Sequence, residues 1–253
     1  MHPKRSGLRP PQTGSLLLAP SDRPMPANPL GPELVAFLDD LSRNNDRDWF
    51  KAHQARYEAD VREPVRAFVR AMEPVIAEHA PFLVADDRKV GGSMMRPQRD
   101  TRFSKDKTPY KTNVGIQLRH VAGRDVHAPG LYLHIHPSEV FVGLGMYRPS
   151  SPDLAAIRAR IDATPDTFRE LVTDPALTAI WRIGQMDALK RSPRGYAADH
   201  PMAEWLRLKS HILLCDLSTE ALFTDDLPDR LASMLDAGRG YCSFLCDAIG
   251  QDW

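Results

Sequence analysis

The spacing of apolar residues changes twice along this chain, and this change constrains the fold more than any other feature. Between residues 33 and 79 apolar side chains recur at steps of three and four, as in Leu34, Phe37 and Leu38, which is the period of an amphipathic helix. Between residues 114 and 147 they alternate with polar residues or glycine, which is the period of a β-strand. Helical patterns return after these strands. The order predicts an α+β fold, a single domain whose central, mainly antiparallel sheet is flanked by N- and C-terminal helices.

The alternating region divides into three predicted strands, at residues 114–119, 131–136 and 140–147. The segments between them are short, whereas a parallel crossover needs a dozen or more residues, so we expect antiparallel pairing. A further strand is expected over residues 90–102 and an edge strand over residues 212–217.

The helices that flank the sheet have recognisable ends. The first is predicted over residues 33–43, and Asp46 is placed to cap the second. This second helix should be long and kinked or broken near Pro64, because proline lacks a backbone N–H. A hydroxyl residue before proline predicts two later helix starts, at Ser151 and Thr164.

Two more helices are predicted near the C-terminus, at residues 202–211 and 227–249, after a polar loop over residues 189–201. The last of them contains Gly238 and Gly240. Each glycine weakens a helix interior by roughly 1 kcal/mol relative to alanine.

The charge balance limits the partners that the whole chain can attract. Its 253 residues hold 33 Lys and Arg against 33 Asp and Glu, a formal net charge of +0 at pH 7. No global field would draw such a protein to nucleic acid or to an anionic membrane. Three cysteines are too few for a disulfide framework, which favours a reducing compartment. No apolar run approaches the roughly 18 residues of a membrane helix, so we expect a cytoplasmic protein without a membrane partner.

The N-terminal residues 1–29 differ in composition from the rest. They hold seven prolines and show little periodicity, so they cannot bury enough apolar surface to offset their ordering entropy. We predict a disordered, proline-rich tail, followed by the single α+β domain at residues 30–253.

Several stretches of the predicted domain carry a shared pattern. They read FLDDL (37–41), NNDRDWF (44–50), RDTRFSKDKTPYK (99–111), GLGMYRP (143–149), IR (157–158), KRSPRGY (190–196) and DHP (199–201). In these motifs the chain resembles the family known as domain of unknown function 2461, found in bacteria and fungi. The resemblance implies one domain from about residue 30 to the C-terminus. The family name implies no activity and no catalytic residues.

The longest of these motifs lies in the most densely charged part of the chain. Residues 96–112 hold six Lys and Arg and two Asp among hydroxyl side chains. Guanidinium and ammonium groups are the usual ligands of phosphate, so the stretch predicts a pocket for a nucleotide, a phosphorylated metabolite or a nucleic-acid backbone. The residues predicted to bind the anion are Arg96, Arg99, Arg102, Lys105, Lys107 and Lys111. Asp100 and Asp106 are predicted to orient them.

The same stretch is also consistent with a network of internal ion pairs. Asp100 would pair with Arg102 or Arg47, and Asp106 with Lys107 or Lys111. Such a network fixes a loop without binding anything, and structural ion pairs of this kind are common.

A second basic patch follows later in the chain. Lys190, Arg191 and Arg194 precede Asp199 and His200. If the patch folds against the first motif, the two form one anion site, in which His200 is an orienting residue and a proton carrier near neutral pH. The alternative is that Asp199 or His200 caps a helix that begins at Pro201, while the basic side chains are solvated.

Metal and cofactor sites have weaker support. His134 and His136 lie two residues apart, with Glu139 nearby and His120 and His127 upstream, but a third ligand at a suitable spacing is missing. No Walker-type loop and no GxGxxG turn opens a helix after a strand. We expect neither a metal nor a cofactor.

Three functions remain open. The first is a protein that binds a phosphate-bearing ligand through residues 96–111. The second is an enzyme that acts on a phosphorylated or nucleic-acid substrate, with His200 or Asp100 in acid–base catalysis. The third is a structural or protein-interaction module whose charges satisfy one another.

Overall fold

The N-terminal helices follow the predicted pattern. The structure, a computed structural model, describes residues 28–123, 129–185 and 187–253. Helix α1 covers Pro32–Arg43 and α2 covers Arg47–Ala52. Asp46 caps α2 as predicted, because its carboxylate accepts hydrogen bonds from the backbone N–H groups of Asp48 and Trp49 at 2.9 and 2.8 Å.

The predicted long second helix is interrupted before Pro64. A short α3, Gln54–Arg56, leads into a wide π-helical turn over Tyr57–Arg62, and α4 then covers Glu63–His79. Pro64 lies in the first turn of α4, directly after the π-helical turn. The prediction of a kink or break near this proline is met by this π-helical distortion, since the backbone stays helical from Tyr57 into α4.

Among the described residues, the sheet has six antiparallel strands in the order β1-β2-β3-β4-β6-β5. Their bounds are β1 Leu83–Val84, β2 Val114–His120, β3 Gly130–His136, β4 Glu139–Met146, β5 Arg182–Ile183 and β6 His211–Leu217. The three predicted strands are confirmed as β2, β3 and β4. The edge strand predicted at 212–217 is wrong in its place, because β6 lies between β4 and β5. The outer strand β5 has only two residues, too few for an alternating pattern to show.

The strand predicted over residues 90–102 is not formed. The chain follows β2 only briefly, where Met95 N–H donates to the Gly115 carbonyl at 2.9 Å and Gln117 N–H donates to the Ser93 carbonyl at 2.8 Å. It then leaves the sheet, and the remaining pairing is a single bridge between Gln98 and Tyr110. Pro97 cannot donate to a strand ladder, which explains why an extended sequence does not continue the sheet here.

The second group of helices starts close to the predicted positions. Helices α5, α6 and α7 cover Ser151–Ala163, Pro165–Thr173 and Pro175–Thr178. Ser150 caps α5, one residue earlier than predicted. Thr164 precedes α6 as predicted but makes no side-chain capping bond. Helix α8 covers only Ala203–Leu206, shorter than predicted, a 3₁₀ turn covers Glu220–Phe223, and α9 covers Leu227–Ala248.

The core lies between one face of the sheet and the helices. The inward side chains of β4, among them Val142 and Leu144, are buried in one cluster with residues of α1, α4 and α9. His79 of α4 is paired with Asp236 of α9 at 2.9 Å, so the two longest of the described helices, α4 and α9, pack side by side. The α+β prediction with helices from both ends of the chain is confirmed.

Asn28 anchors the start of the described chain, since its amide donates to the carbonyls of Leu222 and Thr224 at 2.9 Å each. The predicted tail otherwise lies outside the described residues, as does His127. Within the described ranges, none of the helices is both long enough and apolar enough to cross a membrane.

Candidate functional site

The basic stretch forms a small hairpin, which we call the basic loop (residues 96–111). Arg99 N–H donates to the Pro109 carbonyl at 2.9 Å, and Lys111 N–H donates to the Pro97 carbonyl at 2.7 Å. These bonds flank the bridge between Gln98 and Tyr110. The two arms therefore hold residues 100–108 as a tip that projects from the sheet.

One side of the tip is held by Asp106. Its carboxylate pairs with the guanidinium of Arg99 and accepts hydrogen bonds from the N–H and hydroxyl of Thr108 at 3.0 and 2.9 Å. These bonds favour the charged carboxylate, with the Arg99 contact largest, and lower the pKa of Asp106 to about 2. The positive charge of Arg99 is thus largely compensated by Asp106 within the loop.

The other side of the tip holds a bidentate pair. Arg102 donates from Nε and Nη2 to the two carboxylate oxygens of Asp100 at 3.0 and 2.7 Å. The pairing lowers the pKa of Asp100 to about 2, with the Arg102 side chain as the main cause. Of the alternatives weighed from sequence, Asp100 pairs with Arg102, whereas Asp106 pairs with Arg99 rather than with a lysine.

Three cations of the basic loop make no hydrogen bond or ion pair through their side chains within the described residues: Arg96, Lys105 and Lys111. Lys107 differs, because its ammonium donates to the Thr101 carbonyl at 2.8 Å. Lys111 is half-buried. Burial, followed by the positive charge of Arg96, lowers the pKa of Lys111. The loop therefore contains two internal ion pairs, Arg99–Asp106 and Arg102–Asp100, while Arg96, Lys105, Lys107 and Lys111 have no carboxylate partner among the described residues.

The loop is fastened to the turn between α1 and α2. The side-chain amide of Asn45 donates to the Tyr110 carbonyl at 2.9 Å, and its oxygen accepts from the Tyr110 N–H at 3.1 Å. The Tyr110 ring stacks on Phe50 with 4.0 Å between centroids. The motifs at 44–50 and 99–111 thus meet in space. Sequence reasoning gave Asn45 only the role of ending a helix, and the shared family pattern was the one signal that linked the two segments.

An open hollow lies between these two motifs. Arg47 and Asp48 line one side, and Gln98, Arg99 and Lys107 lie on the other. Arg47 is exposed and, within the described part of the chain, has no ion-pair partner. Of the six predicted anion-binding residues of the loop, Arg99 and Lys107 line this concave surface, and carboxylates line it as well.

The second basic patch does not join this site. His200 accepts a hydrogen bond at Nδ1 from the Met202 N–H and binds Asp162 of α5 through Nε2, both at 2.9 Å. Its role thus resembles the capping alternative, although α8 begins only after Met202. Lys190, Arg191 and Arg194 lie in the preceding loop. No hydrogen bond, ion pair or ring contact links residues 190–200 to the basic loop within the described ranges.

The histidines of the sheet are hydrogen-bonded to hydroxyl and carbonyl groups of the protein rather than grouped with other possible metal ligands. Nδ1 of His134 is bonded to the Tyr132 hydroxyl at 3.1 Å, and Nδ1 of His136 to the Ser138 hydroxyl at 3.0 Å. His120 Nε2 is bonded to the Asp252 carbonyl at 2.6 Å. Among the residues that the structure describes, no three His, Cys, Asp or Glu side chains come together as a metal would require.

Comparison with models of protein families identifies the family of this chain. Residues 33–244 match the model of a family described as conserved hypothetical protein (DUF2461). The chain belongs to this family. The match covers both large helical parts and the whole sheet, so the resemblance seen in the motifs is confirmed. No curated protein matches the chain.

Proposed function

We propose that the protein binds a phosphate-bearing small molecule at the base of the basic loop. Lys111 and Arg96 would provide the charge, with Lys105 and Lys107 of the same loop as flanking cations. The proposal also places the protein in the cytoplasm, where its three free thiols stay reduced.

One observation carries this proposal. Lys111 is half-buried beside a second cation and, within the described residues, has no acidic partner. A desolvated positive charge next to a like charge is unfavourable. A bound anion would remove both penalties at once, since phosphate oxygens accept hydrogen bonds from ammonium and guanidinium groups.

The arrangement of the other charges favours a small ligand over a nucleic acid. Arg99 and Arg102 are engaged with Asp106 and Asp100, so two of the six cations of the loop are not available to follow a polymer backbone. Nucleic-acid binding relies on many phosphate contacts and on a basic surface, whereas the chain carries a net charge of +0.

Binding is also better supported than catalysis. Asp100, whose pKa is lowered mainly by Arg102 and to a lesser degree by the charge of Arg96, is held by Arg102 in a bidentate pair. His200 is bonded to Asp162 and to the Met202 backbone. Neither group is free to carry a proton to a ligand at Lys111.

Calorimetric titration with inorganic phosphate, a sugar phosphate, ATP and a short single-stranded oligonucleotide tests the proposal. We expect at least one of the small phosphates to bind, and Lys111→Met to weaken that binding about tenfold, the value of one charge-assisted contact. Arg102→Ala should weaken it less, because Asp100 already uses this guanidinium. Binding should also fall at high salt.

A matched control removes an exposed cation elsewhere. Arg169 of α6 pairs with Asp166 on the surface, and Arg169→Met should leave phosphate binding unchanged. Absence of binding by every phosphate, or equal losses in Lys111→Met and Arg169→Met, would contradict the proposal. Preference for the oligonucleotide would instead assign the loop to nucleic acid.

A further inference from the structure

The outer face of the sheet, opposite the helices, contains a second hollow that the basic loop does not reach. It has a volume of about 390 Å³, within the range of small-molecule pockets. Its floor is formed by the outward positions of β2, β3, β4 and β6, and Met95 overhangs it from the preceding segment. None of the described residues that line it is Asp, Glu, Lys or Arg.

Two glycines of β4, Gly143 and Gly145, lie in this floor. The backbone requires glycine at position 145 but not at position 143, and Gly143 leaves the floor open. At Gly145, φ is +124° and an added Cβ would lie 2.3 Å from the His211 carbonyl oxygen, so glycine is needed there for conformation and space. Gly143 differs. A Cβ at this position would meet Ile212 and Leu214 at 3.6 Å, which is ordinary van der Waals contact.

A glycine within a strand is normally unfavourable relative to alanine. Because no close contact and no positive φ demands it at position 143, its effect in this structure is to keep the hollow free of a side chain. This indicates that the space is used.

The walls show which chemistry would fit. His134 and Phe141 stack with 4.6 Å between ring centroids, and Tyr132 lies 6.0 Å from each ring. Burial lowers the pKa of His134, so the imidazole is neutral at pH 7 and the wall carries no charge. Aromatic faces of this kind favour offset or edge contacts with another ring.

The geometry points to a binding site for a neutral, planar aromatic small molecule in this hollow, which we call the sheet pocket. The ligand would lie over Gly143, between the aromatic wall and the aliphatic side chains of Ile212 and Leu214. This site is independent of the phosphate site, because the described residues of its lining carry none of the charges that would hold an anion.

Fluorescence titration of the full chain with N-phenyl-1-naphthylamine, a neutral aromatic probe, tests the sheet pocket. We expect saturable binding with a single site. Gly143→Ala adds one methyl group to the floor and should weaken probe binding about fivefold. Gly143→Leu should abolish it, while thermal unfolding shows that both variants are folded.

Two control variants distinguish binding in the sheet pocket from binding elsewhere on the protein. Gly240→Ala makes the same change on the exposed face of α9, and Arg169→Met removes a surface cation of α6, so both should bind the probe as the wild type does. If the wild type does not bind the probe, or if folded Gly143→Ala and Gly143→Leu bind it with unchanged affinity, the inference is overturned.

The test also detects two other occupants. A dimer that dissociates in Gly143→Leu would show that a second copy fills the pocket. Probe binding that appears only after Leu17→Asp would show that the N-terminal segment fills it. Either result overturns the small-molecule site.

Discussion

His211 is the residue whose position is least expected from its chemistry. It begins β6 and is fully buried, and neither ring nitrogen has a hydrogen-bond partner among the described residues. Burial, with a smaller contribution from the positive charge of Arg158, lowers the pKa of His211 to about 3. Arg158 itself is held by the carbonyls of Leu206 and Leu208 at 2.8 and 3.1 Å. The imidazole therefore stays neutral in the folded protein throughout the physiological range.

This burial predicts a specific acid sensitivity. The pKa in the folded state lies below the usual 6.5, so only the unfolded chain takes up a proton as the pH falls from about 6.5 towards 3. The free energy of unfolding should then drop by up to about 1.4 kcal/mol per pH unit from this group alone. His211→Leu should remove that part of the slope, as measured by urea unfolding at several pH values. Equal slopes in the variant and the wild type would contradict the assignment.

Helix α9 contains two glycines at which substitution by alanine should change stability in opposite directions. Gly238 is buried against β4, and a Cβ there would lie 2.3 Å from Cδ2 of Leu144, a side chain enclosed in the core. Gly240 is exposed, and its Cβ would meet only the Leu171 side chain at 3.1 Å. Helix propensity alone treats the two positions as equal.

The two glycines make a matched pair of alanine substitutions. Gly238→Ala should destabilise the protein by about 1–3 kcal/mol, because overpacking against Leu144 exceeds the gain in helix propensity. Gly240→Ala should stabilise it by at most about 1 kcal/mol. Chemical denaturation measures both values, and a stabilised Gly238→Ala would show that the α9–β4 contact is loose.

In the described residues, the N-terminal and C-terminal helices share one core with the sheet. Side chains from α1, α4, the sheet and α9 belong to the same buried cluster. Trp181, which follows α7, donates from its indole to the Met234 carbonyl of α9 at 3.0 Å. Neither group of helices can be removed without exposing the inner face of the sheet.

This shared core predicts a single unfolding transition. Circular dichroism and tryptophan fluorescence should report the same midpoint, and the calorimetric and van't Hoff enthalpies should agree. Two separated transitions would show instead that the N-terminal and C-terminal helices form independent units.

The sequence alone determined the elements and part of their order, because these depend on local spacing. Alternation identified β2, β3 and β4, and the short links between them allowed only antiparallel neighbours. Proline and Asp46 marked helix boundaries through the N–H groups that they remove or satisfy. The strand predicted over 90–102 failed because Pro97 lacks the N–H group that would continue the pairing with β2 beyond Met95.

The tertiary structure decided how the candidate sites are built, because both sites depend on which residues distant in sequence come into contact. Asn45 and Tyr110 are 65 positions apart, yet their contact holds the basic loop. Lys111 has no acidic partner among the described residues. This could not be read from the sequence, because it depends on the position of each nearby carboxylate in the folded protein. The sheet pocket has the same origin, since its floor combines outward residues from four strands, and alternation shows only that they share a face.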